Sequence, residues 1–327
     1  MPKAVRFHRL GGPEVLQIEQ VDLRQPGPGE AAMRVQAAGL NRAEALYFRG
    51  KYHEQPELPS GLGYEVVGTV TAVGPDVSQD LIGREFGTIP GYSHNLYPSM
   101  AEEAIVPASA LAELPASLSP VEGAAVWMPY STAFGALVEF GKLGPGDVVI
   151  ITAASSSVGL AAIQIARAEG ATAIATTRTS TKRQQLLELG AHHVIATDEE
   201  DLPAKVAKIT DGRGARVVFD PVGGDYINTL AQATANEGTI YLYGMLSGTP
   251  TPYPMTGYRR GVKVAGFLMG LMKTPERLER MKRYIYDRLV DGRLRPKVDR
   301  TFPFQDVQAA FRYLEGSTQV GKIVLTF

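Results

Sequence analysis

The residues best placed to do chemistry begin with one short turn. The apolar run Val148-Val-Ile-Ile-Thr152 leads into Ala153-Ala-Ser-Ser-Ser-Val-Gly159, and that small-residue segment opens directly into the apolar stretch Leu160-Ala-Ala-Ile-Gln-Ile-Ala166. A helix N-terminus presents bare backbone N–H groups and the positive end of a dipole, which together suit a pyrophosphate. The pattern reads AxxSxxG and not GxGxxG, with Ser156 where a glycine usually lets backbone approach phosphate. The Ser156 hydroxyl is therefore expected to offer a hydrogen bond instead, beside Ser155, Ser157 and Val158. A plain strand-to-helix turn is the alternative. Strand, turn, helix and second strand following in order favour dinucleotide binding.

The next chemical position lies at the end of the second strand, Thr177-Arg-Thr-Ser-Thr-Lys182. An enzyme selective for NAD carries an acid about 20 residues beyond the glycine turn, where it accepts from the ribose 2′-hydroxyl. Here that place holds Thr177, with Arg178 and Lys182 close by. Small hydroxyl side chains and cations suit a 2′-phosphate and predict NADPH, against the alternative of a solvated basic helix start.

These positions need a scaffold. From Lys3 to Pro120 the sequence is rich in Val, Gly and Pro, with short alternating runs such as Ala31–Ala37, which predicts an irregular β domain. A helical stretch over Glu122–Phe140 follows. Strands are expected at Val148–Thr152, Ala171–Thr176, His193–Ala196, Arg216–Asp220, Thr239–Tyr243 and Val262–Phe267, with helices between them near Lys182–Leu189, Leu202–Ile209 and Tyr226–Ala235. Such alternation predicts a doubly wound parallel sheet. The helix Pro275–Val290, extended Pro296–Phe304, helix Asp306–Leu314 and strand Lys322–Phe327 break it. The expected fold is α/β, a Rossmann-type sheet over residues 122–268 inserted in an irregular β-rich domain of residues 1–121 and 269–327.

Composition narrows the function classes. A chain of 327 residues exceeds one ordinary core, and 33 basic against 34 acidic residues leave no charge excess for nucleic acid or an anionic membrane. A small-molecule partner is the expectation. The N-terminus lacks a secretory apolar core and no later run has membrane length, so a cytoplasmic location is expected. Cysteine is absent, which removes thiolate chemistry and every zinc site needing sulfur. Histidines 8, 53, 94, 192 and 193 show no ligand spacing, and His192-His193 reads as a strand start.

Gly39-Leu-Asn41, Arg49-Gly-Lys-Tyr52, Leu58-Pro-Ser-Gly-Leu-Gly-Tyr-Glu65, Ala153–Gly159, Val218-Phe-Asp-Pro-Val-Gly-Gly224 and Gly321-Lys-Ile-Val follow one another in order along the whole chain. Together they resemble the quinone oxidoreductase branch of the medium-chain dehydrogenase/reductase superfamily. The resemblance implies that the β-rich domain is GroES-like. Zinc-dependent alcohol dehydrogenases of that superfamily hold catalytic zinc with Cys, His and Cys where this chain has Asn41, Tyr64 and Met128. The structural zinc lobe is replaced by the short Gly91–Glu103 stretch, so no metal is expected. Without a Lewis acid a localised alkoxide is hard to stabilise, whereas hydride addition to a quinone or enone spreads the charge.

The resemblance also implies roles for single residues. Gly50-Lys-Tyr52 matches the Gly-x-Tyr context of a proposed proton donor in related enoyl thioester reductases, and Asn41 matches a polar residue lining the same site. Both are expected to be catalytic; the alternatives are a packing aromatic and a turn residue. Thr132, Gly244, Phe267 and Lys322 are expected to join the turn residues in holding NADPH. Tyr92, Tyr97, Trp127, Met245 and Phe267 are expected to shape the pocket. Thr197 stands where quinone reductases commonly have a cofactor-contacting tyrosine. The implied activity is NADPH-dependent reduction of a quinone or other conjugated carbonyl by a homodimer. An enoyl thioester or alkenal reductase and a non-enzymatic, crystallin-like cofactor binder are the alternatives.

Overall fold

The computed structural model describes residues 1–327 and resolves into two compact units, residues 1–128 with 296–327 and residues 129–295. The second unit is thus an insertion in the first, with limits at residues 129 and 295. The helix Pro275–Val290 belongs with the second unit. Its buried face of Met281, Ile285 and Leu289 brings Tyr284 onto Phe134, ring centroids 4.8 Å apart, and the Tyr284 hydroxyl donates to Glu169 at 2.7 Å. Periodicity revealed that helix, but not the surface that would cover it.

In the second unit six parallel strands run in the order His193–Ala196, Thr172–Thr177, Val148–Ile151, Ala215–Asp220, Thr234–Leu242 and Lys263–Gly266. This is the doubly wound order, with Val148–Ile151 at its centre. Its short apolar run has both faces covered, as a central parallel strand requires. The strand Thr234–Leu242 starts earlier than expected because a register shift opposite Ala215/Val217 absorbs Asn236, Glu237 and Gly238. The continuous helix expected over Glu122–Phe140 is broken. A capped turn at Pro120–Gly123 is followed by the helix Trp127–Phe134 and a wider turn of helix over Gly135–Phe140.

In the first unit a seven-stranded sheet is built around Glu30–Gly39, which pairs antiparallel with Val66–Val73, Glu103–Pro107 and the returning strand Lys322–Thr326. A three-stranded sheet of Gln17–Gln20, Lys3–Phe7 and Ser60–Gly61 lies in the same unit. Phe7, Leu40, Tyr47, Phe48, Phe304, Phe311 and Leu325 form the shared core. The return of Lys322–Thr326 is what places residue 322 beside residue 41, at the end of Glu30–Gly39.

Candidate active site and cofactor site

In the second unit the expected cofactor residues gather at the carboxyl ends of the parallel strands, where ligands bind in open α/β sheets. Ser156 is the N-cap of the helix Ser157–Ala168 and accepts from the Gly159 amide at 3.0 Å. The serine thus caps the helix, and Ser157 and Val158 supply the first amides, which no helical carbonyl satisfies. A Cβ on Gly159 would stand 2.6 Å from the Ala154 backbone, so close helix-to-turn packing demands glycine there. Lys182 donates to Ser155 at 3.1 Å, which brings a cation to the turn. Thr177 is half-buried at its strand end and Arg178 is exposed. The Thr177 carbonyl accepts from the Thr197 amide at 2.8 Å.

Thr132 is buried on the helix Trp127–Phe134, and Gly244 follows the strand Thr234–Leu242. Phe267 follows Lys263–Gly266, but its ring is buried where a Cβ on Gly135 would come within 2.1 Å of it. Packing therefore occupies the Phe267 side chain, and its amide donates to the Leu242 carbonyl at 2.7 Å. Asp220, fully buried, had not been singled out. It accepts from Thr152 and from the amides of Val222 at 3.1 Å and Gly223 at 2.8 Å, which fixes the loop after its strand. The hydroxyl turn, the cation at Lys182 and the lack of an acid at residue 177 fit a dinucleotide bearing a 2′-phosphate.

In the first unit Tyr52 is half-buried, and burial pushes its hydroxyl up to about 12 against a hydrogen bond from Tyr64. Tyr64 is shifted further upward by burial and by Tyr52, and the two rings meet edge-on with centroids 6.3 Å apart. Between these rings lies His94, stacked on Tyr64 at 3.7 Å, tilted on Tyr47 at 4.4 Å and edge-on to Tyr52 at 5.9 Å. Burial depresses the imidazole to about 3, and its Nδ1 accepts from the Gly63 amide at 3.2 Å. Neutral His94 is a packing element of the tyrosine cluster. Its loop is tied to the Tyr52 segment by Asn95, whose amide nitrogen donates to the Gln55 carbonyl at 2.9 Å while its oxygen accepts from Tyr47 at 2.6 Å.

Asn41 departs from expectation. Its amide donates to the Gly39 carbonyl at 3.1 Å and to Glu44 at 3.3 Å, and its oxygen accepts from Lys322 at 2.6 Å. Both N–H bonds are engaged, so Asn41 organises the cluster beneath the tyrosines and has no free donor for a substrate oxygen. Lys322, expected at the cofactor, is fully buried and also donates to Glu65 at 2.5 Å. Glu65 in turn accepts from the Met128 amide at 2.9 Å. Residues 41, 64 and 128 are thus joined by hydrogen bonds and ring contacts to Lys322, Tyr52 and Glu65. Trp127, expected in the pocket, is core, with its ring 2.8 Å from where a Cβ on Gly87 would lie. Met245 is exposed, whereas the Tyr92 hydroxyl donates to the Tyr64 carbonyl at 2.6 Å and that of Tyr97 to Glu30 at 3.0 Å.

The family described as "Alcohol dehydrogenase GroES-like domain" matches residues 27–116, and "Zinc-binding dehydrogenase" matches residues 157–283. A 2-haloacrylate reductase from a Burkholderia species and a quinone oxidoreductase from Pseudomonas aeruginosa are each 30% identical, with 99% of both chains covered. The crystal structure of Escherichia coli quinone oxidoreductase complexed with NADPH superposes with a TM-score of 0.90 at 28% identity, covering 99% of this chain and 100% of that one. The chain belongs to the medium-chain dehydrogenase/reductase superfamily, in its zinc-free, quinone oxidoreductase-like family. It is an NADPH-dependent oxidoreductase, and the residues at the strand ends of its second unit fit that cofactor.

Proposed function

We propose that the protein reduces a quinone or a similarly conjugated, neutral carbonyl compound, as a cytoplasmic homodimer. When bound, NADPH supplies the hydride. Amides of Ser157 and Val158 would hold the pyrophosphate, and Lys182 with Ser155 the 2′-phosphate. Tyr52 donates its proton in a hydrogen bond to the substrate oxygen as negative charge develops there, which stabilises the transition state more than the ground state. Tyr64 holds the Tyr52 oxygen in place, and Lys322 with Asn41 keeps the cluster below it rigid.

The observation that carries this reading is the half-buried Tyr52, packed edge-on to Tyr64 at 6.3 Å and to His94 at 5.9 Å, with its hydroxyl raised to about 12 by burial. A phenol so reluctant to ionise keeps its hydrogen on the oxygen, available to the substrate, and is a poor source of a fully transferred proton. That suits a quinone, whose reduced anion is stabilised by conjugation and can be protonated by water. A second reading, reduction of an activated carbon–carbon double bond, is supported by the similarity to the 2-haloacrylate reductase.

NADPH oxidation measured side by side with quinones, enals and enoyl thioesters tests the proposal. Quinones are expected to give the highest kcat/KM. Tyr52→Phe should lower kcat/KM on the best quinone by roughly ten- to a hundredfold, the value of a hydrogen bond to a charged oxygen, without changing NADPH affinity. Full activity of that variant on every acceptor removes Tyr52 from the site.

A further inference from the structure

The charges that act on the tyrosine cluster share one sign. Tyr52 and Tyr64 feel Glu44 and Glu54, Tyr47 feels Glu54 and Glu57, and Tyr92 feels Glu44 and Glu65. Two cations of these segments are already paired. Lys322 is matched to Glu65 at 2.5 Å, and Arg49 to Glu315 at 2.6 Å. Lys51 is exposed.

Glu54 is the carboxylate of this set nearest in sequence to Tyr52. It has no ion-pair partner and is held by neutral donors alone: the Ser93 hydroxyl, the His94 amide at 3.0 Å and the Asn95 side-chain amide at 3.3 Å. The neutral His94 ring, which packs against both Tyr52 and Tyr64, supplies no counter-charge. The Gln55 side chain donates to the Tyr52 carbonyl at 2.8 Å, so carboxylate and phenol belong to one tied segment. The Ser93, His94 and Asn95 donors fix the Glu54 carboxylate on the loop whose His94 ring packs against Tyr52 and Tyr64, so its charge acts on what binds at Tyr52.

We infer that Glu54 is a specificity-determining residue that excludes anionic substrates from the Tyr52 site and restricts the enzyme to neutral conjugated acceptors. This rests on the assignment of Tyr52 to the substrate. The same field opposes a localised oxyanion, and so favours acceptors that spread the charge over a ring. A carboxylate such as a 2-haloacrylate is a poor substrate on this view, which separates the chain from that relative despite their similarity.

The test compares 1,4-naphthoquinone with its 2-sulfonate at pH 8, where histidines in general carry little charge. The sulfonate is the more electrophilic quinone, so intrinsic reactivity works against the expected result. Wild-type enzyme should show kcat/KM for the sulfonate lower by at least about tenfold. Glu54→Gln should narrow that ratio by about threefold or more, mainly through KM of the anion, while Glu54→Asp retains it. Raising salt to about 0.5 M should narrow the wild-type ratio without any variant, which covers the case of a poorly folding one. A ratio that stays fixed in Glu54→Gln and in salt, with naphthoquinone still reduced, overturns the role of Glu54 alone. Failure of every quinone to be reduced overturns the substrate reading and this inference with it.

Discussion

Beneath the tyrosines a lysine and two carboxylates are buried together, and their charges do not balance. Lys322 and Glu65 are paired, whereas Glu44 receives the Asn41 side-chain amide and leaves its second oxygen without a partner. Burial pushes the Glu44 carboxyl from 4.5 up to about 7, against the pull of its own backbone amide, Lys322 and Asn41. The folded chain therefore holds this proton more tightly than the unfolded chain does. Stability from this group is complete below the unfolded value and is lost as pH rises through about 7. Relative to a Glu44→Gln variant, wild type should lose roughly 1–3 kcal/mol between pH 5 and pH 8. Urea unfolding of both proteins across that range measures it; a constant gap means that Glu44 is not the titrating group. None of this was visible in the sequence, where Glu44 is one acid in a short helix. It arises because Lys322, 281 residues from Asn41, returns beside it through strand pairing.

The strand–turn–helix element around Gly159 was legible for the opposite reason, since everything that defines it is local. An apolar strand, a turn of small residues and an apolar helix lie within 21 residues from Val148 to Ala168, and the doubly wound sheet followed from repeating such units. Only the use of Ser156 differed, because a serine before a helix serves the nearest amide as N-cap. Gly159→Ala forces a Cβ to within 2.6 Å of the Ala154 backbone, which cannot yield as a flexible side chain would. The turn must shift, and NADPH affinity in a fluorescence titration should fall at least about tenfold. Lys182→Ala should instead lower affinity for NADPH by roughly 1.5–3 kcal/mol and barely affect NADH. Equal losses for the two cofactors would dismiss the 2′-phosphate assignment. The tyrosine cluster resisted such reading because Tyr47, Tyr52, Tyr64 and Tyr92 come from separate segments. Strand pairing and the Asn95 and Glu54 tethers bring them together.

At the scale of the whole chain, the formal charge of -1 leaves association to apolar surface and open backbone. Both occur along one edge of the parallel sheet. The strand Lys263–Gly266 is last in its order, and around it Tyr253, Met255, Tyr258, Leu268 and Leu271 are between 46% and 67% exposed. Phe267 donates inward to Leu242 at 2.7 Å, so with a period of two the Val264 and Gly266 amides point away from the sheet. A four-residue edge with outward donors and an apolar border is a template for strand pairing. Pairing the same strand of two copies antiparallel about a two-fold axis closes it, because each copy then covers the other's edge and no third copy can add. The expected mass in light scattering at micromolar concentration is therefore twice 35.2 kDa. Gly266→Pro removes one outward donor at a position where an added Cβ meets nothing within 4 Å, and the inward ladder is expected to survive. That variant, or Tyr258→Lys on the apolar border, should shift the equilibrium to monomer while leaving NADPH binding in place. Wild-type protein that scatters as a monomer sinks the dimer; a dimer untouched by either substitution places the interface on another surface.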